Sequence, residues 1–116
     1  MPVDEPTPLV TAVVVALAGV RVNQAVLVVG QAATIRKAVS AGCRRELVTE
    51  GPADVVVALT GPDVPDAVLQ LAPGGRLVSI AADAGAVERT VARYGLRLQH
   101  MEAVAGRTAW SAQRPA

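Results

Sequence analysis

Three short apolar runs constrain this chain most. They are Ala25–Val29, closed by Gly30; Asp54–Leu59, followed by Thr60-Gly61-Pro62; and Arg76–Ala81, preceded by Pro73-Gly74-Gly75. Each is rich in β-branched residues and almost continuously apolar, which predicts central parallel strands covered on both faces. Segments of helical period lie between and after them. Ala32–Ala41 sets Ile35, Ala38 and Val39 on one face and Arg36 and Lys37 opposite, with Gly42 as the C-cap. Asp63 is placed to cap a short helix reaching Leu71. Ala84–Tyr94 turns Val87, Val91 and Tyr94 inward and Glu88, Arg89 and Arg93 outward, with Asp83 before it and Gly95 at its end.

Residues 8–19 read as a buried helix, against which the β-branched run Val13-Val14-Val15 argues for a strand. Glu46–Thr49 reads as a further short strand, and Pro73-Gly74-Gly75 as a tight turn. Leu96–Met101 and Arg107–Gln113 alternate in polarity around Gly106 and predict an antiparallel hairpin at a sheet edge. The expected fold is therefore α/β. It is a three-layer sandwich on a mostly parallel sheet of about six strands that ends in the hairpin.

Composition narrows the function classes. At 116 residues the chain suits one domain, residues 9–116, behind a loose proline-rich lead-in at residues 1–8. It is 52% hydrophobic, with no Phe, one Trp and one Tyr, so its core is built of small aliphatics. A net charge of +1 gives no reason to expect nucleic acid or an anionic membrane as partner. The apolar stretch Leu9–Val20 is too short to span a bilayer. Asp4 and Glu5 stand where a signal peptide would be basic. A lone cysteine, Cys43, rules out an internal disulfide and fits a reducing cytoplasm. Lys37 is the only lysine.

The strand Ala25–Gly30 opening onto a helix, the strand Asp54–Leu59, and the segment LQLAPGGRLVSIA at Leu69–Ala81 together resemble a class I S-adenosylmethionine-dependent methyltransferase. The tail, with Arg107, Trp110 and Pro115, is most similar to the decarboxylating precorrin methyltransferases of cobalamin synthesis. The resemblance implies a Rossmann-like fold with S-adenosylmethionine at the carboxyl ends of the strands. Gly30, Gln31, Glu50, Thr60 and Gly61 are then the candidate cofactor-binding residues, with Glu50 as the ribose acid.

The departures from that family are specific. Its glycine-rich turn carries an acid and three alternating glycines. Here Val28-Val29-Gly30-Gln31-Ala32-Ala33-Thr34 keeps one glycine and no acid. Bare backbone is what allows close approach to a cofactor, and Ala32 and Thr34 add side chains there. Between Glu50 and Asp54 there is no room for the family's helix, strand and further helix, so part of the adenine pocket is missing.

The Ala41-Gly42-Cys43 helix end, the strand from Asp54, Gly61 and the later P-G-G-R also resemble the nucleotide domain of medium-chain alcohol dehydrogenases. That resemblance implies NAD or NADP as ligand. No nucleophile–base pair and no metal-ligand spacing stands out, so the catalytic residues are unknown and no metal is expected. Asp83 reads as a helix cap and His100 as an ordinary strand histidine. Cys43 reads as a small apolar residue, Trp110 as a packing residue or partner contact, and Arg44 and Arg45 as solvated.

Three functions follow. The first is a methyltransferase-like domain with weak or lost activity, acting by association as a homo-oligomer or with a protein partner. The second is an active methyltransferase on a small, tetrapyrrole-type substrate. The third is a dehydrogenase-like module.

Overall fold

The computed structural model describes residues 8–30 and 33–116. The lead-in, apart from Pro8, lies outside them. In chain order the elements are α1 (Pro8–Ala18), β1 (Val26–Val29), α2 (Ala33–Cys43), β2 (Ala53–Ala58), α3 (Val64–Gln70), β3 (Leu71–Ala81), α4 (Ala84–Tyr94), β4 (Arg97–Val104) and β5 (Arg107–Gln113). The sheet order is β1-β2-β3-β5-β4. β1, β2 and β3 pair in parallel, and β5 runs antiparallel to both β3 and β4. Only β5 is reversed, so the sheet is mostly parallel as expected, with five strands.

The strand pleat sorts the core into two layers. Val26 and Val28, Val55 and Val57, and Val78 and Ile80 face the side where Val14 and Ala18 of α1 and Val39 of α2 pack. Leu27 and Val29, Val56 and Ala58, and Leu77 and Trp110 face the side covered by Val64 and Ala67 of α3 and Val87 of α4. Three layers result. The run Val13-Val14-Val15 is helical despite its β-branching, because that conformation brings Val14 and Ala18, four residues apart, onto the sheet, both fully buried.

Several local expectations are corrected. Glu46–Thr49 is not a strand; it lies beside β1 with Val48 N–H donating to the Val26 carbonyl at 2.9 Å. Pro73-Gly74-Gly75 is not a turn between elements but a bulge inside β3. Ala53 pairs with Leu71 while Val55 pairs with Arg76, so β3 carries the excess residues. Gly42 is not a C-cap. A Cβ on it would stand 2.8 Å from Val15 Cγ2, so it is the point where α2 touches α1. The left-handed residue that ends α2 is Arg44, at φ 57. Around it Arg44 N–H donates to Ala41 O and Arg45 N–H to Ser40 O, the Schellman pattern. Ala38, expected inside with Val39, is exposed. Arg45 is not fully solvated: its Nη1 donates to the Gln24 carbonyl and its Nε is buried.

Other expectations hold. Asp83 Oδ1 accepts from Ala86 N–H at 2.8 Å, and Gly95 closes α4 at φ 63. The hairpin turns at Ala105 and Gly106, both at positive φ, which is the type I′ geometry that suits strand twist. The hairpin is not wholly at the edge: β5 is interior, and β4 is the edge strand. No helix among the described residues is long and apolar enough to cross a membrane.

Candidate functional site

The carboxyl ends of the parallel strands form the edge where open α/β sheets hold ligands. β1 and β2 run in register, Val29 beside Ala58, so the chain leaves both strands at the same level. Gly30 follows β1 at φ +69. Leu59, Thr60 and Gly61 follow β2, and a short 3-10 turn, Gly61–Asp63, then folds back. That turn lays the Asp63 carboxylate over Gly30: a Cβ on Gly30 would lie 2.3 Å from Oδ1 and 2.6 Å from Oδ2. The Thr60 hydroxyl donates to Asp63 Oδ2 at 2.6 Å, and Asp63 N–H donates to the Thr60 carbonyl at 3.1 Å. The side chain of Asp63 makes no capping bond to α3, contrary to the sequence expectation. Its carboxylate instead accepts from the Thr60 hydroxyl and packs over Gly30.

Beyond the ends of β2 and β3 lies an open cleft of about 850 Å³, walled by α3, α4 and the tip of the hairpin. Trp110 forms part of its floor, and Thr90, Arg93 and Tyr94 of α4 stand on one wall with Arg107 at the hairpin tip. Thr60 and Gly61 line it at the edge shared with Gly30. Among the described residues, no carboxylate, imidazole, thiol or amine belongs to the lining. Ser79, also in the lining, is fully buried, and its hydroxyl donates to the Ala58 carbonyl. The Arg93 guanidinium lies over the Tyr94 ring, 5.7 Å from its centroid.

The structure thus brings together Gly30, Thr60 and Gly61. It does not bring Glu50 to them. Glu50 is exposed at the opposite end of the sheet, where the next residue, Gly51, donates its N–H to Gln70 Oε1 at 2.7 Å just before β3 begins. The reason is topological: α2 returns the chain to the amino ends of the strands, and only four residues separate Thr49 from Asp54. Gln31 lies outside the described residues. His100 is exposed on β4 and pairs with Glu102 at 3.6 Å, away from the cleft. Burial pushes the Cys43 thiol above its ordinary 9.0, with Arg45 pulling it partly back, as suits a packed apolar residue. Trp110, at 1% exposure, packs inside.

Sequence reasoning missed Asp63 as the group packed over Gly30, and Thr90, Arg93, Tyr94 and Arg107 as cleft residues. Arg93 sits on the polar side of the α4 pattern. Its position beside the inward Tyr94 was the available signal.

No protein-family model matches the chain, and no curated protein matches it in sequence. Solved structures do match in fold. A precorrin-6y methyltransferase from Geobacter metallireducens aligns at TM-score 0.62 and 11% identity, over 92% of this chain and 88% of that one. A ribosomal-protein methylase from Lactobacillus delbrueckii subsp. bulgaricus aligns at 0.62 and 11%, over 91% and 77%. An RNA methyltransferase from Salinibacter ruber, solved with S-adenosyl-L-homocysteine, aligns at 0.57 and 17%, over 99% and 94%. The three act on unlike substrates, so what they share with this chain is architecture. The chain has the Rossmann-like fold of the class I S-adenosylmethionine-dependent methyltransferases, in a shortened, five-stranded form.

Proposed function

We propose that this domain binds S-adenosylmethionine weakly at the carboxyl edge and presents it to a small methyl acceptor held in the cleft. One observation carries the reading: Thr60 and Gly61 belong both to the edge beside Gly30 and to the cleft lining, so cofactor and acceptor would meet across them. The residues fit the cofactor in charge. Its sulfonium and ammonium are positive, and the Asp63 carboxylate, steadied by Thr60, lies at this edge. They fit in space at Gly61, where a Cβ would meet nothing within 4 Å. The space over Gly30 is taken by Asp63, and one glycine stands in the turn where the resemblance implies three, which supports weak binding.

S-adenosylmethionine would supply an electrophilic methyl group. The lining residues would bind and orient the acceptor; among the described residues none of them is a carboxylate or imidazole.

A second reading, association without catalysis, is favoured by β4. Every residue from Arg97 to Ala103 on this edge strand is exposed, Leu98 and Met101 among them. Calorimetric titration with S-adenosylmethionine, S-adenosylhomocysteine, NAD and NADP separates the readings. The expected result is binding of the first two only, weakened about tenfold by Asp63→Asn, in keeping with the loss of a charge-assisted contact. Binding of NAD or NADP alone overturns it in favour of a dehydrogenase-like module. No binding by any of the four, with a dimer in light scattering, overturns it in favour of association.

A further inference from the structure

The charge on the cleft wall does not match that of the chain. Overall the acids and bases nearly cancel, 10 against 11. Among the described residues, the cleft lining has two guanidiniums, Arg93 and Arg107, and no carboxylate. They arrive from separate elements, one from the last turn of α4 and one from the first residue of β5 after the hairpin turn. Among the described residues neither arginine is in a salt bridge; the one such pair is His100 with Glu102. Between them the floor is apolar, with Trp110, Val64 and Ile80. Guanidinium forks match the oxygens of a carboxylate or phosphate, and next to an apolar floor they meet less competition from water.

From this arrangement we infer that the cleft takes a small molecule with a flat apolar body and an oxyanion, its body against the apolar floor and its charge between Arg93 and Arg107. The inference rests on the reading of the cleft as the acceptor site, and it adds the substrate's charge. A long nucleic acid fits less well, because the arginines lie at one cleft while the chain as a whole carries a net charge of only +1.

The test needs no cofactor, so it fails or succeeds apart from S-adenosylmethionine binding. The full chain, labelled with nitrogen-15, is titrated with 2-naphthoate, 2-naphthyl phosphate and 2-naphthylmethylamine. Binding is read from the shift of the Trp110 indole N–H, the only tryptophan signal. The expected result is that either anion binds at least tenfold more tightly than the amine. The tighter anion tells carboxylate from phosphate. Arg93→Gln and Arg107→Gln are each expected to weaken the anion about tenfold and leave the amine unchanged. Arg89→Gln, on α4 but outside the lining, changes neither. All three arginines are exposed, so the variants are expected to fold, and the amine arm reports an intact cleft in each. Equal binding of anion and amine, no binding by either, or insensitivity to both cleft substitutions overturns the inference. So does a short single-stranded RNA that outcompetes the naphthyl anions.

Discussion

At Gly30 two requirements fall on one residue. Its φ of +69 costs an L-residue roughly 1–2 kcal/mol. Its missing Cβ is the space that the Asp63 carboxylate fills. Gly30→Ala is therefore expected to destabilise by about 3 kcal/mol, of which overpacking against Asp63 is about half. With Asp63→Ala already in place, the same substitution should cost only about 1–2 kcal/mol, the backbone part. Urea denaturation of the four proteins closes the cycle. An unchanged cost for Gly30→Ala in the Asp63→Ala protein would show that the carboxylate does not fill that space. The sequence marks Gly30 as special, because an apolar run ends there and a turn must follow. What covers it was not legible, because Asp63 lies thirty-three positions on in the chain and reaches it only once β1 and β2 are paired. The local rule for an acid before a helix predicts a cap, and here the Asp63 carboxylate takes the Thr60 hydroxyl and the space over Gly30 instead.

Among the elements, α4 was readable end to end. Its apolar period, its Asp83 cap and its Gly95 terminator all agree, and each acts within a few residues. α2 was readable in place but not at its end. Gly42 has the composition of a cap, yet the left-handed position falls at Arg44, and the glycine serves the crossing with α1. The two roles predict opposite outcomes. In a helix interior, Gly→Ala stabilises by roughly 0.8–1 kcal/mol on propensity alone. Here the added methyl presses on Val15, a stiff β-branched neighbour, so Gly42→Ala is expected to destabilise by about 1 kcal/mol. In a Val15→Ala background the sign should reverse to a gain of several tenths of a kcal/mol. Thermal denaturation of the pair checks it, and stabilisation by Gly42→Ala in the unaltered chain would contradict the contact. The bulge at Pro73-Gly74-Gly75 shows the same limit. Proline and glycine mark a break in a ladder, but whether the chain turns or bulges is set by the partner strand, here β2 against residues 71–76. Glu46–Thr49 has strand-like residues and lies beside β1, but it makes only a fragment of a ladder.

For the whole molecule, strand order carries the consequence. The last strand in the sequence, β5, lies inside the sheet, between β3 and β4. The cleft depends on that insertion, since Arg107 and Trp110 come from β5 while Thr60 comes from the β2 turn and Arg93 from α4. Such a site is visible in a sequence only as scattered residues, because long-range topology and not spacing brings them together. Stability depends on the insertion too. β5 supplies Ala109 to one core layer and Trp110 and Ala112 to the other. Trp110 is the bulkiest fully buried side chain, and truncating such a residue to alanine costs about 3–5 kcal/mol. A domain of this size has only about 5–15 kcal/mol in total. A chain ending at Gly95 loses Trp110, the other β5 core residues and every β3–β5 hydrogen bond, and it leaves β3 as an open apolar edge. Trp110 alone is a large fraction of the available stability, and the other losses add to it. The shortened chain is expected to show no cooperative thermal transition and to aggregate, while Trp110→Phe in the full chain keeps the transition at a lower midpoint. A cooperative transition in the chain ending at Gly95 would mean that residues 8–95 form a unit of their own, with the hairpin an appendage and the cleft a late addition to it.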